Sequence, residues 1–183
     1  MLRVIAGSAG KLLLKTPEGL DTRPTSDRIK ETLFNMIQAD IYDSVVVDFF
    51  AGSGSLGIES LSRGARKAYF SDNSTKAHEC IVDNLKHTHF EDKATVFKTD
   101  ARSAASMINE SHVDIIFMDP PYALNIESDM LNILKDKPYV DSDTLIIIEA
   151  DLNNSFDWVE STGYEILKEK KYKTNKHVFL SLK

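Results

Sequence analysis

The sequence predicts one α/β domain built on a doubly wound, mostly parallel sheet. Three observations support this prediction. Apolar strand-like runs alternate with helical patterns, a glycine-rich turn follows the first of these runs, and two strand-like runs stand side by side at the end. Strands that alternate with helices are joined by right-handed crossovers and pair in parallel. A chain of 183 residues is long enough to give such a domain a full core.

The first part of the chain predicts an arm ahead of this domain. Leu2–Ala6 and Leu12–Leu14 flank a glycine-bearing stretch and are typical of a short hairpin or irregular arm. The Pro- and Gly-bearing segment Thr16–Thr25 predicts a loop. A helix is then expected to begin at residues 25–27, with one apolar face: Ile29, Leu33, Phe34 and Ile37. We therefore predict an N-terminal arm or hairpin over residues 1–25 and a main domain over residues 26–183.

The main domain is predicted from regular alternation followed by a different ending. Strands are predicted at Val45–Val47, Ala68–Phe70, Ala94–Phe97, Val113–Met118 and Leu145–Ile148. Helices are predicted between them at Leu56–Arg63, Lys76–Lys86, Ala101–Ile108 and Ile126–Leu134. Tyr164–Tyr172 and His177–Leu182 then indicate an antiparallel hairpin. A seven-stranded, mostly parallel sheet closed by such a hairpin is the plan of Rossmann-like methyltransferases, whereas the dehydrogenase plan has no such hairpin.

Composition narrows the classes of function. A single cysteine, Cys80, excludes an internal disulfide and a cysteine-based zinc cluster, and the five histidines lack metal-ligand spacing, so no metal is expected. No run approaches the ~18 apolar residues of a membrane span, and the start lacks a signal peptide, so we expect a cytoplasmic protein and, by default, a monomer. The net charge of −6 argues weakly against nucleic acid, but residues 1–30 hold six Lys or Arg against three acids. Basic ends on an acidic body are compatible with RNA contact and equally with plain solvated charge.

The glycine-rich segment Val45–Gly57 predicts a strand, a tight turn and the start of a helix. Gly52, Gly54 and Gly57 satisfy G-x-G-x-x-G, and Asp72 follows 20 residues after Gly52, as in dinucleotide-binding proteins. The glycines alone therefore do not separate NAD from another adenosine cofactor.

Acids at the ends of the predicted strands favour S-adenosylmethionine over NAD. Asp48 beside the turn would repel a pyrophosphate but suits a ligand with an ammonium group. Asp72 is placed to accept the ribose hydroxyls, and Asp100 with Ala101 could hold an adenine edge. Helix-terminal roles for Asp48 and Asp100 and a turn role for Asp72 remain alternatives.

The motif Asp119-Pro120-Pro121-Tyr122 directly follows the apolar run 113–118. Proline cannot donate to a sheet ladder, so the backbone is expected to leave the sheet here in an extended conformation. This places a carboxylate, the Pro120 carbonyl and an aromatic ring at a strand end, where α/β proteins bind ligands. The set suits a flat ring that carries an –NH2 group, with Tyr122 stacked on the ring. An ordinary strand-to-loop turn with a packed tyrosine is the alternative.

Taken together, the segments 48–65 and 119–122 resemble the RsmD family of 16S rRNA guanine-N2 methyltransferases, and the block Arg23–Asn35 and the opening 3–7 strengthen the resemblance. The resemblance implies S-adenosylmethionine as donor and one guanine of 16S rRNA, or of a small-subunit particle, as acceptor. It assigns the target base to Asp119, Pro120, Pro121 and Tyr122. It assigns the cofactor to Asp48, Phe49, Ala51, Gly52, Gly54, Leu56, Asp72, Asn73, Asp100 and Ala101. Asn73-Ser74 departs from the family, whose members often have a second acid there.

Five residues near the predicted arm are candidates for RNA contact: Arg3, Arg23, Thr25, Arg28 and Lys30. Ordinary surface charge, or for Arg28 an ion pair with Glu31 or Glu59, is the alternative. Rival functions are methylation of an adenine N6 or a glutamine amide, an NAD-dependent oxidoreductase, and an RNA-binding assembly factor without catalysis. The length leaves little room for the separate recognition domain that the first of these rivals usually carries, and the sequence offers no credible hydride-transfer partner for the second.

Overall fold

A seven-stranded sheet organises the protein in the computed structural model, which describes residues 2–17, 27–121 and 126–183. The strands are β1 (Val45–Asp48), β2 (Lys67–Ser71), β3 (Ala94–Phe97), β4 (Ile115–Met118), β5 (Leu145–Asp151), β6 (Tyr164–Lys171) and β7 (Asn175–Leu182). Their spatial order is β3-β2-β1-β4-β5-β7-β6. The first five run parallel, and β7 pairs antiparallel with both β5 and β6. The predicted fold class, including the closing hairpin, is confirmed.

Helices cover both faces of the sheet, and each face has its own core. They are α1 (Asp27–Met36), α2 (Gln38–Ile41), α3 (Ser55–Ser62), α4 (Thr75–Thr88), α5 (Ala101–Ala105) and α6 (Ile126–Lys135). Alternate residues of β1 serve the two cores: Val45 and Val47 pack with α5 and α6, while Val46 packs with α1 and α3. None of the described helices is long and apolar enough to cross a membrane.

Element ends differ from prediction where tertiary pairing decides them. Helix α5 ends at Ala105 rather than Ile108, because the next amides bond three residues back in a tighter turn. Strand β4 begins at Ile115, since the Val113 N–H donates to Tyr139 O instead of to a strand. Strand β5 continues to Asp151, which pairs with Asn175 of β7. The short helix α2 was not predicted.

The predicted N-terminal hairpin is present and packs into the core. Arg3 and Leu13 form an antiparallel bridge, flanked by hydrogen bonds of 2.9 Å from Val4 N to Leu12 O and from Leu14 N to Leu2 O. The side chains of Leu2, Val4 and Leu14 are buried in the same core as α1, α3 and α4. Residues 2–17 therefore cover one face of the sheet, and we call them the arm.

A buried carboxylate ties the arm to α3. Glu59 accepts hydrogen bonds from the Ile5 and Ala6 amides at 2.7 and 3.1 Å. It also pairs with Arg63 at 2.8 Å and with Lys30 at 3.5 Å, and the side chains of Glu59 and Lys30 are both 0% exposed. A close approach reinforces this contact, because a Cβ on Gly7 would lie 1.8 Å from the Ser62 carbonyl oxygen and the Gly7 φ is +83°. Glu59 is thus one of the anchors that hold the arm to α3.

We expect Glu59→Ala to destabilise the protein by about 3–5 kcal/mol, the usual cost of removing one partner from a buried ion pair. The change leaves the buried Lys30 ammonium without its acid and two arm amides without an acceptor. Chemical denaturation measures the loss. Glu79→Ala, which removes an exposed acid on α4, is the matched control and should change stability by less than about 0.5 kcal/mol. Equal stability of the two variants would contradict a structural role for Glu59.

Candidate active site

A cavity of about 560 Å³ lies at the carboxyl ends of the parallel strands, where open α/β sheets bind ligands. Its size is within the usual range for small-molecule sites. The acids at or just beyond the ends of β1, β2, β3 and β4 all line it: Asp48, Asp72, Asp100 and Asp119. Strand register brings them together, because all four strands point the same way and end at the same edge. The expectation that these carboxylates share one edge is therefore met.

The glycine-rich turn forms the floor of the cavity between β1 and α3. Gly54 has φ +77° and begins α3, and its N–H donates to Ala51 O at 2.6 Å. That left-handed backbone suits glycine, so the sequence here allows a turn tight enough to aim α3 at the cavity. A Cβ placed on Gly52 would meet no atom within 4 Å. The Gly52 backbone therefore faces open space, where a ligand can approach closely.

Asp48 is the most deeply buried of the four acids, with 2% of the residue exposed. Burial raises the pKa of its carboxyl to about 7, and the neighbouring Asp72 adds to the increase. Hydrogen bonds from the Gly57 and Phe50 amides oppose the shift without cancelling it. Among residues 2–17, 27–121 and 126–183, no cation pairs with this carboxylate. The ammonium of an amino-acid moiety would supply one, whereas a pyrophosphate would add to the repulsion.

Asp72 and Asp100 each shape the backbone and line the cavity. Asp72 accepts hydrogen bonds from the Gly52 amide at 3.0 Å and the Ser74 amide at 2.9 Å. Asp100 caps α5, accepting from the Arg102 and Ser103 amides. Hydrogen bonds from Ser103, with the side chain contributing most, lower the pKa of Asp100. The helix-cap alternative for Asp100 and the turn alternative for Asp72 are thus both observed, and neither removes the residue from the cavity wall.

Asp119 follows β4 and faces a second carboxylate. Burial raises the pKa of its carboxyl well above the ordinary value, and the charges of Glu149 and Asp48 raise it further. Pro121 is exposed and lines the cavity, while Pro120 is buried. Tyr122 lies outside the described residues. The Asp119 carboxyl group at the strand end is therefore placed to accept a hydrogen bond from a ligand or to pair with a cation.

The remaining predicted cofactor residues fall on the cavity wall with one exception. The wall includes Phe49, Ala51, Leu56, Asn73 and Ala101. Gly54 is buried behind the turn and shapes the wall without lining it.

The arm also contributes to the wall, which the sequence pattern did not predict. Leu2, Thr16 and Pro17 line the cavity. Buried Asn84 on α4 joins the arm to the turn: its Nδ2 donates to Ser53 O at 2.9 Å and to Lys15 O at 3.0 Å, and its Oδ1 accepts from Lys15 N at 2.8 Å. No local motif marks Asn84, so only the fold identifies its role.

The candidate RNA-contact residues differ in their exposure. Arg28 is exposed, and the Arg3 side chain is 55% exposed with its Nε 2.8 Å from Asp27. The expectation for Lys30 is wrong, because its side chain is 0% exposed and its Nζ donates to Arg3 O at 2.6 Å. Arg23 and Thr25 lie outside the described residues.

Comparison with known proteins gives a consistent family. A family model described as conserved hypothetical protein 95 matches residues 2–181. The provisionally named rRNA methyltransferase YlbH of Bacillus subtilis is 38% identical over 152 residues, 82% of this chain and 83% of that protein. Ribosomal RNA small subunit methyltransferase D of Haemophilus influenzae is 33% identical over 173 residues, 92% of this chain and 88% of that protein. The solved structure of yhhF, provisionally described as an Escherichia coli methyltransferase, has a TM-score of 0.86 at 30% identity and covers 100% of this chain and 98% of that one.

Proposed function

Because the chain belongs to the RsmD family of small-subunit rRNA methyltransferases, we propose that it methylates the exocyclic N2 amine of a guanine in 16S rRNA, with S-adenosylmethionine as donor. The observation that carries the proposal is the meeting of four strand-end acids around one cavity beside a glycine turn. We further propose that the substrate is an assembled or assembling small subunit, whose surface would help to present the target base.

The cavity fits this cofactor by the chemistry of its donor set. Buried Asp48 would hold the ammonium, Asp72 the ribose hydroxyls, and Asp100 with Ala101 the adenine edge. When bound, S-adenosylmethionine supplies an electrophilic methyl group on a positively charged sulfur. The NAD alternative fits less well, because Asp48 sits where a pyrophosphate would approach the turn.

The chain's own part in the reaction is to hold the amine. Guanine N2 is a poor nucleophile, since its lone pair is delocalised into the ring. Acceptance of its two hydrogens by Asp119 and the Pro120 carbonyl would orient the lone pair toward the donor. Orientation of two reactants contributes about 7–11 kcal/mol in favourable cases, so positioning can supply much of the acceleration. Asp119 can also accept the proton that the methylated amine releases.

The arm gives the RNA a place to bind beside this cavity. Arg3 and Arg28 are exposed on the surface, and we propose that they contact phosphate together with Arg23 and Thr25. Arm residues 16 and 17 line the cavity itself, so RNA held there would lie close to the cofactor.

The test is methyl transfer from labelled S-adenosylmethionine to small subunits that lack rRNA methylation, beside naked 16S rRNA and duplex DNA. Mass spectrometry identifies the modified nucleoside. N2-methylguanosine formed only on the particle supports the donor, the atom and the substrate form together. Label on adenine or on DNA would replace the guanine assignment. Cofactor binding without any turnover would favour the assembly-factor alternative.

We expect Tyr122→Ala to lower turnover far more than Tyr122→Phe. Stacking on the target base needs the aromatic ring and not the hydroxyl, and base–aromatic stacking contributes about 1–3 kcal/mol. Single-turnover rates at saturating S-adenosylmethionine measure the difference, on the substrate that the methyl-transfer test identifies. Similar losses in both variants would show that the hydroxyl, and not the ring, is what the site uses.

A further inference from the structure

A second carboxylate stands beside Asp119 at the sheet edge. Strands β4 and β5 pair in parallel with Met118 opposite Ile148, so the next residue on each strand is an acid: Asp119 and Glu149. Glu149 is the neighbouring charge with the largest effect on Asp119, ahead of Asp48. The sequence carried a signal for it, because the apolar run Leu145–Ile148 is followed directly by an acid, as the predicted first and fourth strands are.

Side chains of the closing hairpin hold Glu149 in place. Asn175 Nδ2 donates to Glu149 Oε1, and His177 Nε2 lies 3.3 Å from Oε2. The second ring nitrogen of His177 lies 3.1 Å from the Tyr172 hydroxyl. The Glu149 side chain is 12% exposed and that of His177 is 3% exposed. Such a network fixes the carboxylate while leaving part of it accessible.

Several hydrogen-bond acceptors lie together at this end of the sheet. A carboxylate offers about four lone-pair sites, and Asp119 and Glu149 both contribute them. Asn175 Oδ1 is buried with no hydrogen-bond partner among the residues that the structure describes. Two acids and a buried carbonyl oxygen side by side favour a ligand that brings several N–H groups at once.

We propose that Glu149 selects guanine by accepting its N1–H beside the amine that Asp119 holds. The inference rests on the proposed function and names its specificity-determining residue. Guanine carries N1–H next to its N2 amine, so two adjacent carboxylates match two adjacent donors. In adenine the ring nitrogen beside the amine is an acceptor, and its lone pair would face the Glu149 charge. The same geometry therefore favours guanine and disfavours adenine.

The test uses small subunits reconstituted with 16S rRNA that carries guanine or 2-aminopurine at the methylated nucleotide. 2-Aminopurine keeps the N2 amine but has no hydrogen on N1. Wild-type protein should prefer guanine in kcat/KM by about 10- to 100-fold, the discrimination that one good base contact provides. Glu149→Gln should reduce this preference to about threefold or less, because an amide can also donate to the bare ring nitrogen. Its affinity for S-adenosylmethionine should stay unchanged.

Asp151→Asn is the matched control, since it removes the same charge from the same strand and should leave the preference as in wild type. An equal shift in both variants would assign the effect to charge alone and overturn the proposal. A wild-type preference below about threefold would overturn it without any variant, even if Glu149→Gln fails to fold. Absence of wild-type transfer to the guanine particle would instead overturn the proposed function.

Discussion

Replacement of Asp119 by alanine is expected to abolish methyl transfer, with a loss of at least about 100-fold in kcat, while cofactor affinity stays within a few-fold. The reason is positional: without this acceptor the amine loses the contact that orients its lone pair, and misplacement of a reacting group commonly costs a factor of about 100 or more. Under the proposed assignment, binding of the donor depends instead on the acids of the other strands, which line the same cavity. Single-turnover rates and equilibrium binding measure the two quantities separately.

The pH profile of kcat/KM in the Asp119→Asn variant gives a second test of the role of Asp119. The pKa of the Asp119 carboxyl is raised by burial and by Glu149, and the protonated form carries an O–H where an acceptor is needed. Wild-type kcat/KM should therefore fall as pH drops through that raised pKa. The asparagine variant keeps one acceptor oxygen, so it should retain some activity and lose this acid limb. Unchanged turnover in the alanine variant would end the assignment of Asp119.

Replacement of Asp48 by asparagine should weaken cofactor binding and yet stabilise the protein without its cofactor. A charged hydrogen-bonded pair contributes about 1.5–3 kcal/mol, so the affinity should fall by roughly 10- to 100-fold. Buried Asp48 has its pKa raised from 3.8 to about 7. Ionising it inside the fold therefore costs up to roughly 4 kcal/mol, because each pKa unit corresponds to about 1.4 kcal/mol.

The stabilisation expected for Asp48→Asn is a strict test because its direction follows from the raised pKa. Since the folded-state pKa is above the unfolded value, wild type loses stability as pH rises from about 4 toward 7. The Asp48→Asn variant should be more stable than wild type at pH 8, and the gap should close near pH 4. Denaturation midpoints across this range, with exposed Asp92→Asn as control, measure it. A variant less stable than wild type at pH 8 would show that Asp48 is satisfied inside the fold.

Much of the fold could be predicted because its signals are local. Apolar runs broken by helical patterns mark the parallel strands, and β3 has the predicted bounds, Ala94–Phe97. The carboxyl-end rule then places Asp48, Asp72 and Asp100 at one edge. These positions follow from strand order and direction, and both are set by patterns within a few residues of each strand.

The unpredicted parts depend on distant partners. Lys30 is charged and lies in an amphipathic helix, so exposure was expected, and its burial is explained by two distant partners, the Glu59 carboxylate and the Arg3 carbonyl. Asn84 carries no motif, since its role needs the arm and the turn to meet at α4. Glu149 repeats a visible pattern, but its partners Asn175 and His177 come from an antiparallel strand. Local sequence does not encode such contacts between residues that are far apart in the chain.

The arm has a consequence for the order of events during synthesis. Its anchors come late in the chain: Ile5 binds an acid 54 positions on, and Lys15 binds an amide 69 positions on. At roughly 5–20 residues per second, Asn84 is made roughly 3–14 seconds after Lys15. Until then the arm can bind Glu59 on α3, but the Asn84 link between the arm and the glycine-rich turn cannot form. A nascent chain can therefore join the arm to the turn only after β1 and β2 have been made, and β3 and β4, which are followed by the cavity residues Asp100 and Asp119, come later still.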